Sequence, residues 1–141
     1  MSEPTVRRTL ATMRWSDMDA LGHVHNIKML EYYEAARAEL IHEVLDLGAP
    51  ADIGLVVRHH DIDYLAPLVY RSSPIAVDMV VDRIGSTSFS LSYTVTEPDN
   101  SVIYSRASTV IVAIEKTTGK PKQLPEFLRG HLRRYLQLKA S

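Results

Sequence analysis

Apolar and polar residues repeat along this chain with two different periods, and the change of period divides it. Over "NIKMLEYYEAARAELIHEVLDLG", Met29/Leu30, Tyr33, Ala36, Leu40/Ile41, Val44 and Leu47 recur at helical spacing, while Glu31, Glu39, His42, Glu43 and Asp46 fall largely off that stripe. The spacing predicts one long helix, with Asn26 as its N-cap and Gly48 followed by Pro50 as its stop. After it the period drops to two. "GLVVRHHDIDYLAPL" reads as a strand ended near Pro67, and "IAVDMVVDRI" sets Ile75, Val77, Met79 and Val81 on one face. In "TSFSLSYTVT", Phe89, Leu91, Tyr93 and Val95 alternate with Ser90, Ser92, Thr94 and Thr96. "EPDNS" has the composition of a turn. "VIYSRASTVIVAIE" then becomes apolar on both parities towards its end, as a strand covered on two sides requires. Ahead of the helix, "VRRTLATMRW" predicts a short first strand; at the far end, "PEFLRGHLRRYLQL" predicts a short helix.

The predicted order is strand, long helix, four strands and a last short helix. Strands joined by short turns form an antiparallel sheet, and a helix inserted after the first of them packs across one face, which is an α+β layer arrangement. The other face carries serine and threonine rows and is only partly apolar. That face, or an open sheet edge, predicts a homo-oligomer. With no repeat, low-complexity tract or break in composition, a single domain over residues 1–141 is expected.

Charge and composition remove several function classes. A formal net charge of -1 gives no electrostatic case for nucleic acid or an anionic membrane. Zero cysteines exclude a disulfide framework, a thiolate metal site and a cysteine nucleophile. The start, "MSEPTVRRTLATMRW", lacks the apolar core of a signal peptide, and no window approaches the ~20 apolar residues of a membrane span. The tail "RGHLRRYLQLK" is a small amphipathic end piece rather than an anchor. A cytoplasmic location is the expectation.

The chemistry concentrates in "WSDMDALGHVHN", residues 15–26, where two aspartates at alternate positions precede two histidines at alternate positions. Three readings are open. His-x-His and Asp-x-Asp on extended chain point like groups the same way and could hold a metal ion, although Gly22 interrupts the segment and the pattern matches no established metal spacing. Alternatively, Asp19 stands just before a helix whose first turn has unpaired N–H groups. Those donors and the positive end of the helix dipole stabilise an oxyanion on a carbonyl, while a carboxylate activates water or attacks the carbonyl itself. In the third reading the aspartates are turn residues and the histidines hydrogen-bonded loop rings.

"RWSDMDALGHVHNIKMLEYYEAAR" resembles the signature of hotdog-fold acyl-CoA thioesterases of the 4-hydroxybenzoyl-CoA thioesterase-like group, in which a D-x-D-x-x-G-H-V-x-N segment leads into a long helix with E-x-A-R. The matching residues are Asp17, Asp19, Gly22, His23, Val24, Asn26, Glu34, Ala36 and Arg37. "DIDYLAPLVYRS" and "RIGSTSFSLSYTV" also look like that family's second strand and following hairpin, so the resemblance runs from about Arg14 to the last strand. It implies a hotdog fold: a long central helix wrapped by a curved five- or six-stranded antiparallel sheet, paired edge to edge in dimers or dimers of dimers, with active sites at the dimer interface. It also implies hydrolysis of an acyl thioester without a cofactor or metal. Asp19 would be the general base or nucleophile, and backbone N–H groups around Val24 and His25, beside Asn26, the oxyanion donors. Asp17 would be structural or tune Asp19.

Three departures from the family pattern matter. His25-Asn26 replaces a common Asn-Asn, so His25 is either a second proton carrier or a pocket-lining ring. Met29 stands where an aromatic is common, which suits a reshaped apolar pocket. The turn after the third strand reads Gly85-Ser86-Thr87-Ser88 and lacks a basic residue often found there. Phosphate contacts to coenzyme A then fall to Ser86, Thr87 and Ser88 or to Arg58, Arg71 and Arg83, and the carrier is coenzyme A or an acyl carrier protein. Two other activities share the expected pocket: a non-catalytic acyl-thioester-binding module, and enoyl-thioester hydration by Asp19 with His25. In "RHHDID", neighbouring His59 and His60 face opposite sides of a strand and are expected at a surface or interface.

Overall fold

A computed structural model describes residues 5–46, 48 and 51–137. The elements in chain order are β1 (Arg7–Ala11), α1 (Asn26–Asp46), β2 (Ile53–Tyr64), β3 (Ile75–Ile84), β4 (Ser88–Thr96), β5 (Ile103–Glu115) and α2 (Glu126–Arg133). The five strands form one sheet in the order β1-β3-β4-β5-β2, and every neighbouring pair is antiparallel.

The period-two pattern accounts for the sheet. Ile75, Val77, Met79 and Val81 on β3 and Phe89, Leu91, Tyr93 and Val95 on β4 are all buried. Tyr33, Ala36, Leu40 and Val44 of α1 belong to the same core, with the Tyr33 and Tyr93 rings 4.8 Å apart between centroids. β5 is interior, between β4 and β2, which explains why Ile111, Val112 and Ala113 are buried in succession. α2 adds Leu128 and Leu132 to this core and is tied to α1 by His131 Nε2, 3.1 Å from Glu43 Oε2. Leu91 is fully buried on the central strand. Its replacement by Ala should therefore cost about 2–5 kcal/mol of unfolding free energy, read as a lower denaturant midpoint at unchanged slope.

Two local features differ from the sequence expectation. The first strand stops at Ala11, and a 3-10 turn occupies Trp15–Asp17. The N-cap position of α1 belongs to His25, with Asn26 already in the first turn. Gly48 does adopt a positive φ of 104° and donates its N–H to the Leu45 carbonyl, as a helix stop requires. Leu47 and Pro50, and Leu138 and Lys139 of the amphipathic tail, lie outside the described residues. β2 forms one edge of the sheet. Its middle is exposed, with a bulge at Arg58, and Val56, Val57 and Tyr64 are open to solvent.

Candidate active site

The loop between β1 and α1 is built on Asp17. This carboxylate is fully buried; Oδ2 accepts from the Arg14 N–H at 3.0 Å and the Tyr32 hydroxyl at 2.7 Å. The Arg14 guanidinium stands 3.2 Å from Oδ1. Burial pushes the carboxyl up, but the Tyr32 hydroxyl and then the Arg14 N–H and charge outweigh it and hold it below the usual range. The Asp17 carbonyl, in turn, accepts the His25 N–H at 2.8 Å. Asp17 is thus a structural anchor for the segment that follows.

Asp19 heads a tight reversal. Its N–H donates to the His23 carbonyl at 2.7 Å, and Gly22 donates to the Asp19 carbonyl at 3.1 Å. Gly22 has φ of 78°, a conformation that glycine adopts without strain. Oδ1 of Asp19 accepts from the backbone N–H groups of His23 at 3.1 Å and Leu21 at 2.9 Å. Its Oδ2 meets no donor among the described residues. The His23 N–H bond, partly opposed by burial and helped by Leu21 and the nearby His23 and His25 rings, holds the carboxyl below its ordinary value.

The expected oxyanion donors are in other hands. Val24 donates to the Leu68 carbonyl at 2.7 Å, and His25 to Asp17 as above. Neither amide is free. His25 instead caps α1: its carbonyl accepts from Lys28 and Met29, and its Nδ1 accepts from the Ile27 N–H at 3.2 Å. An accepting Nδ1 places the ring proton of neutral His25 on Nε2. The amide left without an acceptor among the described residues is that of Asn26, whose carbonyl accepts the Tyr64 hydroxyl at 3.2 Å.

Asp19, His23, Val24 and Asn26 border one cavity of about 230 Å³, closed on the other side by Tyr64 to Leu68, with Met29 also in its wall. His25 is exposed and does not line it. His23 and Tyr64 do, although neither carries a site role in the sequence reading; the alternation His23-x-His25 pointed both rings the same way, and the helix cap at His25 is what separates them. A larger groove of about 370 Å³ opens between β3, β4 and β5 and shares no residue with this one.

Of the expected phosphate contacts, none lines the cavity within the chain. Arg58 and Arg83 are exposed, and Ser86, Thr87 and Ser88 form the β3–β4 turn, where Ser86 and Thr87 carbonyls accept from Leu124 and Ala113. Arg71 is already engaged: it pairs with Glu97 and donates to the Pro74 carbonyl at 2.9 Å and the Ser73 carbonyl at 3.3 Å. Its guanidinium is thus occupied at the 71–74 bend and at Glu97. Among the described residues, no group of three or more His, Cys, Asp or Glu side chains converges to hold a metal ion. None of the helices described is long and apolar enough to cross a membrane.

The sequence matches the thioesterase-like superfamily over residues 13–132. The chain belongs to that family. Membership makes it a thioester hydrolase by class, and the wrapped helix a hotdog fold. Among similar solved structures, a predicted thioesterase from Bacillus stearothermophilus superposes with a TM-score of 0.85 at 24% identity, covering 96% of this chain and 100% of that one. A thioesterase complexed with coenzyme A and Zn from Thermus thermophilus gives 0.74 at 29% identity, covering 89% and 90%. Slr0204, a 1,4-dihydroxy-2-naphthoyl-CoA thioesterase from Synechocystis, gives 0.77 at 18% identity over 91% and 96%, a likeness of fold alone. No curated protein matches the chain by sequence.

Proposed function

We propose that this member of the family hydrolyses acyl-CoA thioesters, releasing free acid and thiol, in the cavity that Asp19 and Asn26 share. The observation that carries the proposal is that shared cavity: Asp19 and Asn26, which among the described residues keep a carboxylate oxygen and a helix-start amide without partners, line the same 230 Å³. A thioester carbonyl held there receives the Asn26 N–H, at the positive end of α1, on its oxygen. Asp19 takes a proton from water, whose oxygen adds to the carbonyl carbon; the C–S bond then breaks and the thiolate collects a proton. Alternatively Oδ2 adds first, expelling the thiolate and leaving an acyl anhydride that water cleaves. His25 serves by capping the helix that presents the amide, with Val24 aligning the loop through Leu68.

The phosphate contacts come from a second copy. Arg58, Arg83, Ser86, Thr87 and Ser88 are absent from the cavity of their own chain, and β2 offers an unpaired edge with exposed Val56 and Val57. Pairing of two β2 edges builds a homodimer from single-domain chains, or the unit of a tetramer, and brings one chain's basic groups to the other's site. Light scattering should return at least twice the mass of one chain. Val56→Glu should lower that mass and the activity together, whereas a monomeric wild type with full activity would end the two-chain site.

Release of free thiol from acyl-CoA esters of several lengths, beside the same acyl groups on acyl carrier protein, tests the reaction and its carrier. No release with any ester, alongside measurable binding, would replace the hydrolase with a non-catalytic acyl-thioester-binding module.

A further inference from the structure

A second cavity, of about 210 Å³, lies farther along α1 against the same strand, β2. Ala38, Ile41, Leu55, Val57 and Ile111 give it apolar walls, and Glu34, Arg37 and His42 are also in its lining. Arg37 has few partners for so hidden a charge. Its side chain is 9% exposed, and the nearest carboxylate, Glu34, stands 4.0 Å away and is itself 75% exposed. Among the described residues one of its five donors is used, Nη1 to the Tyr93 hydroxyl at 3.0 Å. The remaining guanidinium donors stand at the cavity, where an entering anion would accept from them.

The guanidinium is also held in place. Tyr93 bonds Thr109, and Thr109 Oγ1 lies 2.8 Å from His60 Nδ1 at the β2 edge. One direction leaves no buried hydroxyl proton unpaired: Arg37 to Tyr93, Tyr93 to Thr109, Thr109 to His60. Burial, with the Arg37 and His59 charges, lowers the His60 pKa and so favours the neutral, accepting ring this chain of bonds needs.

We propose that the Arg37 cavity is a carboxylate-binding subsite, and that the carboxylate is the far end of the acyl chain whose thioester lies at Asp19. The inference rests on the hydrolase reading above. From Asn26 to Arg37 is eleven residues, roughly 16 Å of helix, shortened because helical side chains lean towards the N-terminus. Carbon bonds of ~1.5 Å at near-tetrahedral angles advance about 1.25 Å each, so an acyl chain of roughly eight to twelve carbons spans the two cavities. Methylenes suit the apolar walls, and the guanidinium fork suits a carboxylate bidentately.

The test compares ω-carboxydecanoyl-CoA with its alkyl counterpart, undecanoyl-CoA, and measures binding of free decanedioate and decanoate by calorimetry. Wild type should favour the carboxylated ester at least ~10-fold in kcat/KM, as a hydrogen-bonded charge pair warrants. Arg37→Lys, which keeps charge but loses the fork, should remove most of that preference. Should Arg37→Lys fail to fold, Ala38→Glu places an internal carboxylate in the same cavity and should lower the preference likewise. Equal kcat/KM for the two esters in wild type, or a preference unchanged in these variants, overturns the proposal. If neither ester is cleaved but decanedioate binds wild type and not Arg37→Lys, the hydrolase reading fails while the subsite stands. If both free acids bind through Arg37 while the esters are cleaved equally, the carboxylate site is upheld and its assignment to the substrate's tail is overturned.

Discussion

Asp19→Asn is expected to lose at least ~100-fold in kcat with any acyl-CoA ester the wild type cleaves, with its melting temperature nearly unchanged. The asymmetry follows from how the two carboxylate oxygens are used. Oδ1 accepts from Leu21 and His23 and holds the reversal closed; an asparagine oxygen accepts the same two bonds. Oδ2 has no partner among the described residues and is the atom assigned to chemistry, and in asparagine it becomes an amide nitrogen that neither removes a proton nor attacks a carbonyl. Asp19→Ala would remove both functions and so confound them. Stopped-time thiol release and thermal melts on the two variants separate the roles: a fully active Asp19→Asn would move catalysis elsewhere. The pH profile gives a second check. The bonds from His23 and Leu21 keep the Asp19 carboxyl below its ordinary value near 3.8, so it is ionised throughout the neutral range. The acid limb of kcat/KM, which reports free-enzyme groups, should therefore fall only below about pH 4. Its loss in Asp19→Asn would tie that limb to this residue.

The helix and strands were legible because burial there follows a period. Tyr33, Ala36, Leu40 and Val44 lie where a stripe of 3.6 puts them, and the β4 alternation separates buried from half-buried residues without exception until Thr96. Arg37 and Tyr32 were not legible as buried groups. A charged or hydroxyl-bearing residue goes inside only if a partner waits there, and the partners, Tyr93 and Asp17, come from other elements. The same limit governs the site. That α1 begins with unpaired amides is a property of every helix, but which of them are consumed depends on Leu68 meeting Val24 and on Asp17 folding back to His25. Asn26 was the stronger N-cap on side-chain preference alone. The long-range bond at His25 fixes the frame one residue earlier, and the imidazole substitutes for the usual short side chain. The pairing of Arg71 was hidden for a like reason: nothing near it in sequence announces Glu97.

Asp17→Asn should be the most damaging substitution in the loop, costing about 2–3 kcal/mol of unfolding free energy, the upper range for leaving a buried polar group unpaired. Oδ2 accepts from two donors, the Arg14 N–H and the Tyr32 hydroxyl, while Oδ1 faces the Arg14 guanidinium. An amide in that position turns an NH₂ towards at least one of those donors and leaves a buried group unpaired. For a chain of this size the melting temperature should drop by roughly 5–15 °C. The sign of the pH dependence distinguishes charge from shape. Asp17 titrates lower in the folded protein than its unfolded value of about 3.9. Its contribution is thus complete above that unfolded value and is lost as pH falls through the folded one. The gap in stability between wild type and Asp17→Asn should hold from neutral pH to about 4 and narrow below it. A gap that stays constant into stronger acid would mean that packing around the side chain, rather than its charge, holds the loop. Because the Asp17 carbonyl also accepts the His25 N–H, loosening here displaces the helix cap and the Asn26 amide with it. Activity should then fall even where the variant remains folded, through a loss in kcat that Asp19 itself has not caused.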